Sequence, residues 1–106
     1  MISTDMLHLG QLVYSTQGRD QGQAYLVYKI AETGDYVYLV DGKKRTLKNP
    51  KKKNIKHIAR TNWIADDLKE KFMLEVPIKK EVIFNALSNG IKAIEEAKQL
   101  GQARCD

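Results

Sequence analysis

Short segments of β-preferring residues alternate with tight turns between residues 10 and 60, and this arrangement leaves few folds open. The turns contain Gly, Asn or Pro, and the segments span residues 10–17, 23–30, 36–40, 45–48 and 54–58. Two parallel neighbouring strands need a connection of about a dozen residues or more, and none of these turns is that long. The pattern therefore predicts a mainly β protein with an α tail, in which about five antiparallel strands form a small barrel.

The positive charge of the chain is concentrated between Gly42 and Arg60. The whole chain has 18 Lys and Arg residues against 13 Asp and Glu residues, a formal net charge of +5. The stretch holds nine of the basic residues and no acidic one, so the remainder is net negative. A bound phosphate backbone relieves the repulsion among these charges and releases counterions. Lysines that only protect a strand edge would not need to exclude acidic neighbours, so the stretch predicts a nucleic-acid-binding surface.

The candidate contacts are the basic residues of this stretch, a histidine within it and an arginine in the first turn. They are Arg19, Lys43, Lys44, Arg45, Lys48, Lys51, Lys52, Lys53, Lys56, His57 and Arg60. Lysine outnumbers arginine among them, which favours the positioning of phosphates over the bidentate recognition of bases. Residues 51–53 are expected to form a charged loop, so replacing all three lysines by Glu should abolish binding and leave the barrel folded.

The tyrosines of the predicted strands are Tyr14, Tyr25, Tyr28, Tyr36 and Tyr38. Two interpretations are open for them. Tyrosine rings stack on unpaired bases, and they also form the core or the rim of small barrels. The second interpretation is favoured for most of them, because a ring with one hydroxyl group fits a half-buried strand position.

After residue 60 the spacing of apolar residues changes from that of a strand to that of a helix. Ile64, Leu68 and Phe72 recur every four residues and predict one helix, with Thr61 and Asn62 as its caps. The domain organisation is therefore expected to be a lead-in over residues 1–9, a barrel over 10–60 and a helical appendage over 61–106. In the lead-in, Met6, Leu7 and Leu9 are expected to pack beneath the barrel.

A second helix is predicted from about residue 78 to residue 100, after Pro77. Gly90 is expected to bend or interrupt it, and Gly101 to end it. One face of this helix is apolar, with Ile83, Leu87, Ile91 and Ile94. That face either packs on the barrel and the preceding helix or docks a partner, and packing is the favoured interpretation.

The sequence carries no constellation typical of an enzyme, a cofactor site or a metal site. His8 and His57 are far apart, and neither has a cysteine at metal-ligand spacing. Asp66 and Asp67 are adjacent, so on a helix they point about 100° apart and complement its N-terminus instead of forming an acid–base pair. Neither glycine of the first turn is followed by the Lys-Ser/Thr of a phosphate-binding loop. We therefore expect a protein without catalytic activity, cofactor or metal.

A cytoplasmic location is expected. No stretch approaches the roughly 18 apolar residues that span a bilayer, so no membrane-spanning segment is expected, and no membrane is counted among the expected partners. The N-terminus lacks a basic segment followed by an apolar run, and no secretory signal is expected. The lone Cys105 excludes an intramolecular disulfide bond and favours a reducing compartment.

Two segments together resemble the KOW-domain RNA-binding proteins. The resemblance rests on the loop Gly18-Arg19-Asp20-x-Gly22, the turn Asp41-Gly42, and the run from Pro50 to His57, which reads PKKKNIKH. It covers residues 10–60 specifically and the two predicted helices more loosely. Within that group, the chain resembles small bacterial proteins that are themselves similar to the fourteenth large-subunit ribosomal protein of the eukaryotic type.

This resemblance implies an SH3-like barrel with RNA, often ribosomal RNA, as its ligand. The partners it implies are ribosomal RNA and, beside it, ribosomal proteins. A loop glycine shapes the contact turn in KOW motifs, and here either Gly18 or Gly22 matches it. Gln21 stands where relatives often have a basic residue, and some KOW domains bind protein instead of RNA.

The leading hypothesis is therefore a non-catalytic RNA-binding module that acts on or near the ribosome. The alternative is a protein-interaction adaptor in transcription or ribosome assembly, which uses the barrel or the apolar face of the last helix. Partners that survive nuclease treatment would favour the adaptor. A membrane-surface role fits less well, because the lysines lie among strands and turns and not on the polar face of an amphipathic helix.

Overall fold

The computed structural model describes residues 7–105, and for residues 98–105 it describes the backbone only. The strands are β1 (Gln11–Ser15), β2 (Ala24–Ile30), β3 (Tyr36–Val40), β4 (Lys51–Asn54) and β5 (Ile58–Ile64). A single turn of 3-10 helix, Ile55–His57, joins β4 to β5. Two helices follow, α1 (Asp66–Met73) and α2 (Lys80–Cys105).

The five strands form one antiparallel sheet in the order β4-β3-β2-β1-β5. The first four strands follow one another as a meander, and β5 returns to pair with β1. β4 and β5 therefore lie at opposite edges of the sheet and do not pair with each other. The expected antiparallel strands and the two helices that follow them are confirmed, but the sheet is not closed into a barrel.

The strand expected at residues 45–48 is wrong, because Asp41 holds this part of the chain in a loop. The backbone N–H groups of Asp41 and Gly42 donate to the Arg45 carbonyl, at 2.9 and 3.1 Å. The Asp41 carboxylate accepts from the N–H groups of Lys43 and Arg45, at 2.8 and 2.9 Å. The fourth strand lies instead at Lys51–Asn54, in the segment expected to be a charged loop. Lysine is a poor strand former, so pairing with β3 decides this assignment and propensity does not.

The last strand also lies further along the chain than the expected segment 54–58. The Asn54 side chain accepts from the Lys56 N–H at 2.9 Å and starts the helical turn, so β5 begins only at Ile58. Thr61 and Asn62 are part of β5 and not helix caps, and the Thr61 hydroxyl donates to the Leu12 carbonyl at 2.7 Å. The boundary expected at residue 60 thus falls inside a strand.

The two helices share a core with the sheet and are not an appendage to it. Side chains on one face of the sheet, which we call the outer face, pack against α1 and α2. The buried members of this cluster are Leu12, Leu26, Val40, Ala65, Leu68, Phe72, Ile83 and Leu87. Ile91 and Ile94 pack against the same cluster, so the apolar face of α2 is turned towards the sheet. The favoured packing interpretation of that face is confirmed.

The opposite face of the sheet, the inner face, has a second core of its own. Its buried members are Leu7, Val13, Tyr25, Val27, Val37 and Leu39. Leu9, Ile30, Ile55 and Ile58 pack around them. Leu7 and Leu9 therefore pack beneath the sheet as expected, and Met6 lies outside the described residues. Both faces of β1 to β3 pack against a core, so these strands are nearly continuous apolar runs in the sequence. Alternation of apolar and polar residues therefore does not show which side chains lie on which face.

Gly90 allows α2 to lie close to the sheet and does not interrupt the helix. A Cβ atom at this position would stand 2.6 Å from the Trp63 ring and 2.7 Å from a methyl carbon of Leu12. The helix runs through Gly90 and on past Gly101 to Cys105, so it is neither interrupted at the first glycine nor ended at the second. The glycine is explained by close packing of the helix on β1 and β5.

Gly42 provides a similar contact between the loop after β3 and the first turn of α2. Its φ angle is +80°, and a Cβ atom there would collide with the backbone of Lys80 and Phe84. Gly42 therefore fixes the position of the beginning of α2 against the end of β3. The Asp41-Gly42 pair is a helix-packing contact as well as a turn.

Replacing Gly42 by Ala should lower the free energy of unfolding by about 2–5 kcal/mol, from backbone strain together with overpacking. Gly22→Ala is the matched control, since Gly22 has a φ of +90° but open space around the Cβ position. Strain alone should cost the control about 1–2 kcal/mol. Urea unfolding curves compare the two variants, and equal losses would contradict the packing role of Gly42.

Candidate nucleic-acid interface

The alternation of strand β4 divides its three lysines between the two faces of the sheet. Lys51 and Lys53 stand opposite Leu39 and Val37, whose side chains lie in the inner core. Lys52 stands opposite Tyr38 and faces outwards. The three lysines therefore do not form one basic cluster, because successive side chains of a strand point to opposite faces.

Lys53 is buried and forms an ion pair with Asp20 of the β1–β2 loop. Its Nζ atom lies 2.6 Å from Asp20 Oδ1 and donates to the Gln17 carbonyl at 2.8 Å. Only 8% of the Lys53 side chain and 13% of the Asp20 side chain are exposed. Lys53 is thus committed to the interior, and its expected role as a phosphate contact does not fit this position.

Asp20 accepts hydrogen bonds from three side chains. Besides Lys53, the Ser15 hydroxyl donates to Oδ1 at 2.9 Å and the Tyr25 hydroxyl donates to Oδ2 at 2.8 Å. Burial alone would raise the pKa of Asp20, but the hydrogen bonds from Lys53, Tyr25 and Ser15 hold it well below its ordinary value of 3.8. Burial and the bond to Asp20 raise the pKa of Tyr25, so its phenol stays protonated and continues to donate.

The ion pair connects parts of the sheet that the strand order separates. β4 and β1 are three strand spacings apart, about 14 Å in a flat sheet. The Lys53 side chain is shorter than this, so β4 and the β1–β2 loop must approach each other over the inner face. Gly18, with φ +92°, lies beside the pair, since its Cβ position is 3.4 Å from Lys53 Nζ. Arg19 is exposed in the same loop, and Gly22 closes it with a φ of +90°.

Part of the outer face remains exposed, and we call it the open face: Lys29, Tyr36, Tyr38 and Lys52. The register places Lys29 of β2, Tyr38 of β3 and Lys52 of β4 directly opposite one another in one row. Tyr36 lies two residues from Tyr38 on the same face, is 38% exposed, and has Lys52 Nζ 4.5 Å from its ring centre. Charged and aromatic side chains thus alternate across three strands.

Sequence reasoning missed Lys29, and it left base stacking by Tyr36 and Tyr38 open only as the less favoured interpretation. These residues are separated from Lys52 by up to 23 positions in the chain, and only the strand register brings them together. The β-bulge between Val27 and Lys29 also shifts the alternation of β2. A count of every second residue from Val27 would have placed Lys29 on the inner face.

A groove of about 440 Å³ adjoins the open face. It is lined by Tyr28, by the loop residues Leu47 and Lys48, by Glu75 of the α1–α2 connection and by Lys80 at the start of α2. Glu75 joins the groove to the open face, since its carboxylate lies 3.5 Å from Lys29 Nζ. Both side chains of this pair are largely exposed, at 46% and 66%, so it adds at most about 1 kcal/mol to stability.

The loop after β3 holds four of the candidate cations on the side of the sheet where α2 begins. Lys43 places its Nζ atom 4.8 Å from the ring centre of Phe84 in α2. Lys44 and Lys48 are exposed, and Arg45 is half-buried. The hydrogen bonds of Asp41 hold residues 43–45 in one compact turn.

The remaining candidates lie at the edge of the inner face. Lys56 and Arg60 are exposed and line a small pocket of about 220 Å³ with Leu7, Ile55 and Ile58. His57 is half-buried, and its backbone carbonyl accepts from the Thr16 N–H at 2.9 Å. The basic stretch therefore presents cations in several places and not along a single rim, as strand alternation and the turn at residues 55–57 require.

The chain matches no protein-family model. No curated protein matches it either. Within residues 7–105, no helix is both long and apolar enough to cross a membrane. The same described part of the chain contains no group of three or more His, Cys, Asp or Glu residues placed to hold a metal ion.

Asp20→Ala should lower the free energy of unfolding by about 3–5 kcal/mol, because it leaves the Lys53 ammonium buried without its partner. Adding Lys53→Met should recover part of that loss, since the double variant buries no charge at this position. A double-mutant cycle measured by urea unfolding gives the coupling. Additive losses, within about 0.5 kcal/mol, would contradict the ion pair as a stabilising contact.

The lowered pKa of Asp20 also predicts how stability depends on pH. In acid the unfolded chain binds a proton at this carboxylate before the folded protein does, so stability falls as the pH drops below the ordinary value of 3.8. The contribution is fully present at neutral pH. Unfolding at pH 7 and pH 3 should show a smaller difference for Asp20→Asn than for the unchanged protein, and equal differences would argue against this assignment.

Proposed function

We propose that this protein is a non-catalytic RNA-binding module. The observation that carries the proposal is a set of basic side chains without acidic partners. In the described part of the chain, no member of this set forms an ion pair with a carboxylate. Lys53, which lies within the same basic stretch, does form one and is not a member of the set. The members are Lys43, Lys44, Arg45, Lys48, Lys51, Lys52 and Lys56.

Cations without carboxylate partners among the described residues favour a polyanion. Wherever such charges lie within the screening length, about 8 Å at physiological salt, they repel one another with little attenuation. Phosphates that replace small counterions remove this repulsion, and the released ions provide the driving force. The aromatic side chains of the open face add a binding element that a purely electrostatic surface lacks.

The resemblance to KOW-domain proteins supports RNA as the polyanion. It makes ribosomal RNA the first candidate ligand and ribosomal proteins the neighbouring partners. The sheet supports the SH3-like part of that resemblance in its outline. It has five short antiparallel strands, and the last one returns to pair with the first. We propose that the fold is an open variant of this type and that the protein acts in the cytoplasm, on or near the ribosome.

A protein-interaction adaptor is the second candidate function. The face with Ile83, Leu87, Ile91 and Ile94 packs in the outer core, so it is not the docking surface that this role requires. The observation in its favour is at the end of α1, where Met73 and Leu74 are 60% and 65% exposed. Together with Val76 and Val82, which are 37% and 42% exposed, these side chains are still a smaller signal than seven cations without carboxylate partners among the described residues, and we rank RNA binding first.

The proposal predicts a strong dependence of RNA binding on salt. If five to seven phosphates are contacted, the logarithm of affinity should fall against the logarithm of salt concentration with a slope of about −3.5 to −6. Fluorescence anisotropy with a structured ribosomal RNA fragment measures this slope. A flat line, or no binding at low salt, would refute the proposal.

A matched pair of variants tests which lysines are involved. Lys44→Gln with Lys48→Gln should make the salt slope less steep by about 1.5, since two phosphate contacts are lost. Lys71→Gln with Lys92→Gln is the control, because it removes the same charge from exposed helical positions outside the basic stretch. Equal effects of the two pairs would show that only net charge matters.

A further inference from the structure

The helices cover one end of the outer face and leave the other end exposed. Strand β3 shows this most clearly, since Val40 is buried against α1 and α2, Tyr38 is half-buried and Tyr36 is exposed. These three residues point to the same side, because they are two positions apart along the strand. The open face is thus a continuation of a helix-covered surface, with tyrosine rings where the covering ends.

Lysines flank the tyrosines of the open face on both sides. Lys29 and Lys52 lie in the strands on either side of Tyr38, about 9.6 Å apart by two strand spacings. Neither lysine is buried, and Lys52 also lies over the Tyr36 ring. An arrangement of flat rings between two cations suits a ligand that presents flat aromatic groups between phosphates.

We propose that the open face binds an unpaired stretch of nucleic acid, with one base stacked on Tyr36 and the flanking phosphates held by Lys52 and Lys29. The inference rests on the proposed function and specifies that the open face binds unpaired RNA. In a duplex the bases are paired and stacked on one another, so no base face is available to a tyrosine on a sheet. In an unpaired stretch every base has an exposed face, and stacking is tolerant of sequence.

Glu75 tunes this surface by holding Lys29. Glu75 has a φ of +56°, a conformation that side-chain-bearing residues rarely adopt, and it stands at the end of α1 where glycine is the usual residue. Its carboxylate pairs with Lys29 at 3.5 Å. A bound phosphate would compete with this carboxylate for Lys29, so Glu75 weakens phosphate binding at this end of the open face.

The test compares three fluorescent probes in anisotropy titrations with the full chain. They are a single-stranded RNA of about 12 nucleotides, the duplex of the same RNA with its complement, and single-stranded DNA of the same sequence. The single strand should bind more tightly than the duplex. Tighter binding of the RNA than of the DNA supports RNA as the source, whereas equal binding supports stacking but refutes selectivity for RNA.

Tyr36 variants separate stacking from charge. Tyr36→Ala should weaken single-strand binding by about 10-fold and leave the salt slope unchanged, whereas Tyr36→Phe should bind within about 2-fold of the unchanged protein. Leu74→Ala is the control, because it truncates an exposed apolar side chain elsewhere. Thermal unfolding confirms that each variant is folded, as expected for an exposed position.

Glu75→Gln should tighten binding of the single strand, since Lys29 then holds its phosphate without competition from a carboxylate, whereas Lys29→Gln should make the salt slope less steep by about 0.7. An unchanged slope would refute Lys29 as a phosphate contact. Equal binding of single strand and duplex, together with an unaffected Tyr36→Ala variant, would overturn the inference and leave the proposed function standing. Absence of binding to every probe and to structured RNA would instead refute the proposed function.

Discussion

The buried ion pair between Lys53 and Asp20 determines how the edge strand β4 pairs with its neighbour. The sequence of β4 is Lys-Lys-Lys-Asn, with no apolar residue whose burial would select one register. A slip by one residue would exchange the faces of all four side chains. Asp20 accepts from Lys53, Ser15 and Tyr25 within the interior, so it fixes which lysine of the three turns inwards. Buried ion pairs often contribute more to such specificity than to net stability, and that is the role we assign to this one.

The ion pair between Lys53 and Asp20 also determines which side chain of β4 lies on the outer face of the sheet. With Lys53 turned inwards opposite Val37, Lys52 must stand outwards opposite Tyr38, and the row with Lys29 follows from the register of β2 and β3. An interior carboxylate in the β1–β2 loop thus places a cation beside Tyr36 on the opposite face. The loop that the KOW resemblance singles out has a structural role here through Asp20, while its exposed Arg19 remains accessible for binding.

Local patterns predicted the elements that local chemistry determines. Strands β1 to β3 are apolar and end at turns with glycine, so their positions were predicted to within a few residues, and apolar residues spaced about one helical turn apart predicted both helices. Strand β4 was not predictable, because lysine propensity argues against a strand and only pairing with β3 and the bond to Asp20 override it. The same limit applies to the candidate site. The density of positive charge was visible in the sequence, but its distribution over two faces follows from the register and from the bulge at β2.

The extent of the open face follows from the position of α2. The first turn of α2 lies against Gly42, at the end of β3 where Val40 is buried. Gly90 then brings the middle of the helix onto Leu12 and Trp63, towards β1 and β5 and away from β4. The helix therefore crosses the sheet from the end of β3 to the β5 edge and leaves the beginning of β3 uncovered. In the sequence, Gly42 indicates a turn and Gly90 indicates a break in a helix. In the structure, both glycines position α2 on the sheet, and the position of α2 leaves Tyr36 exposed at the beginning of β3.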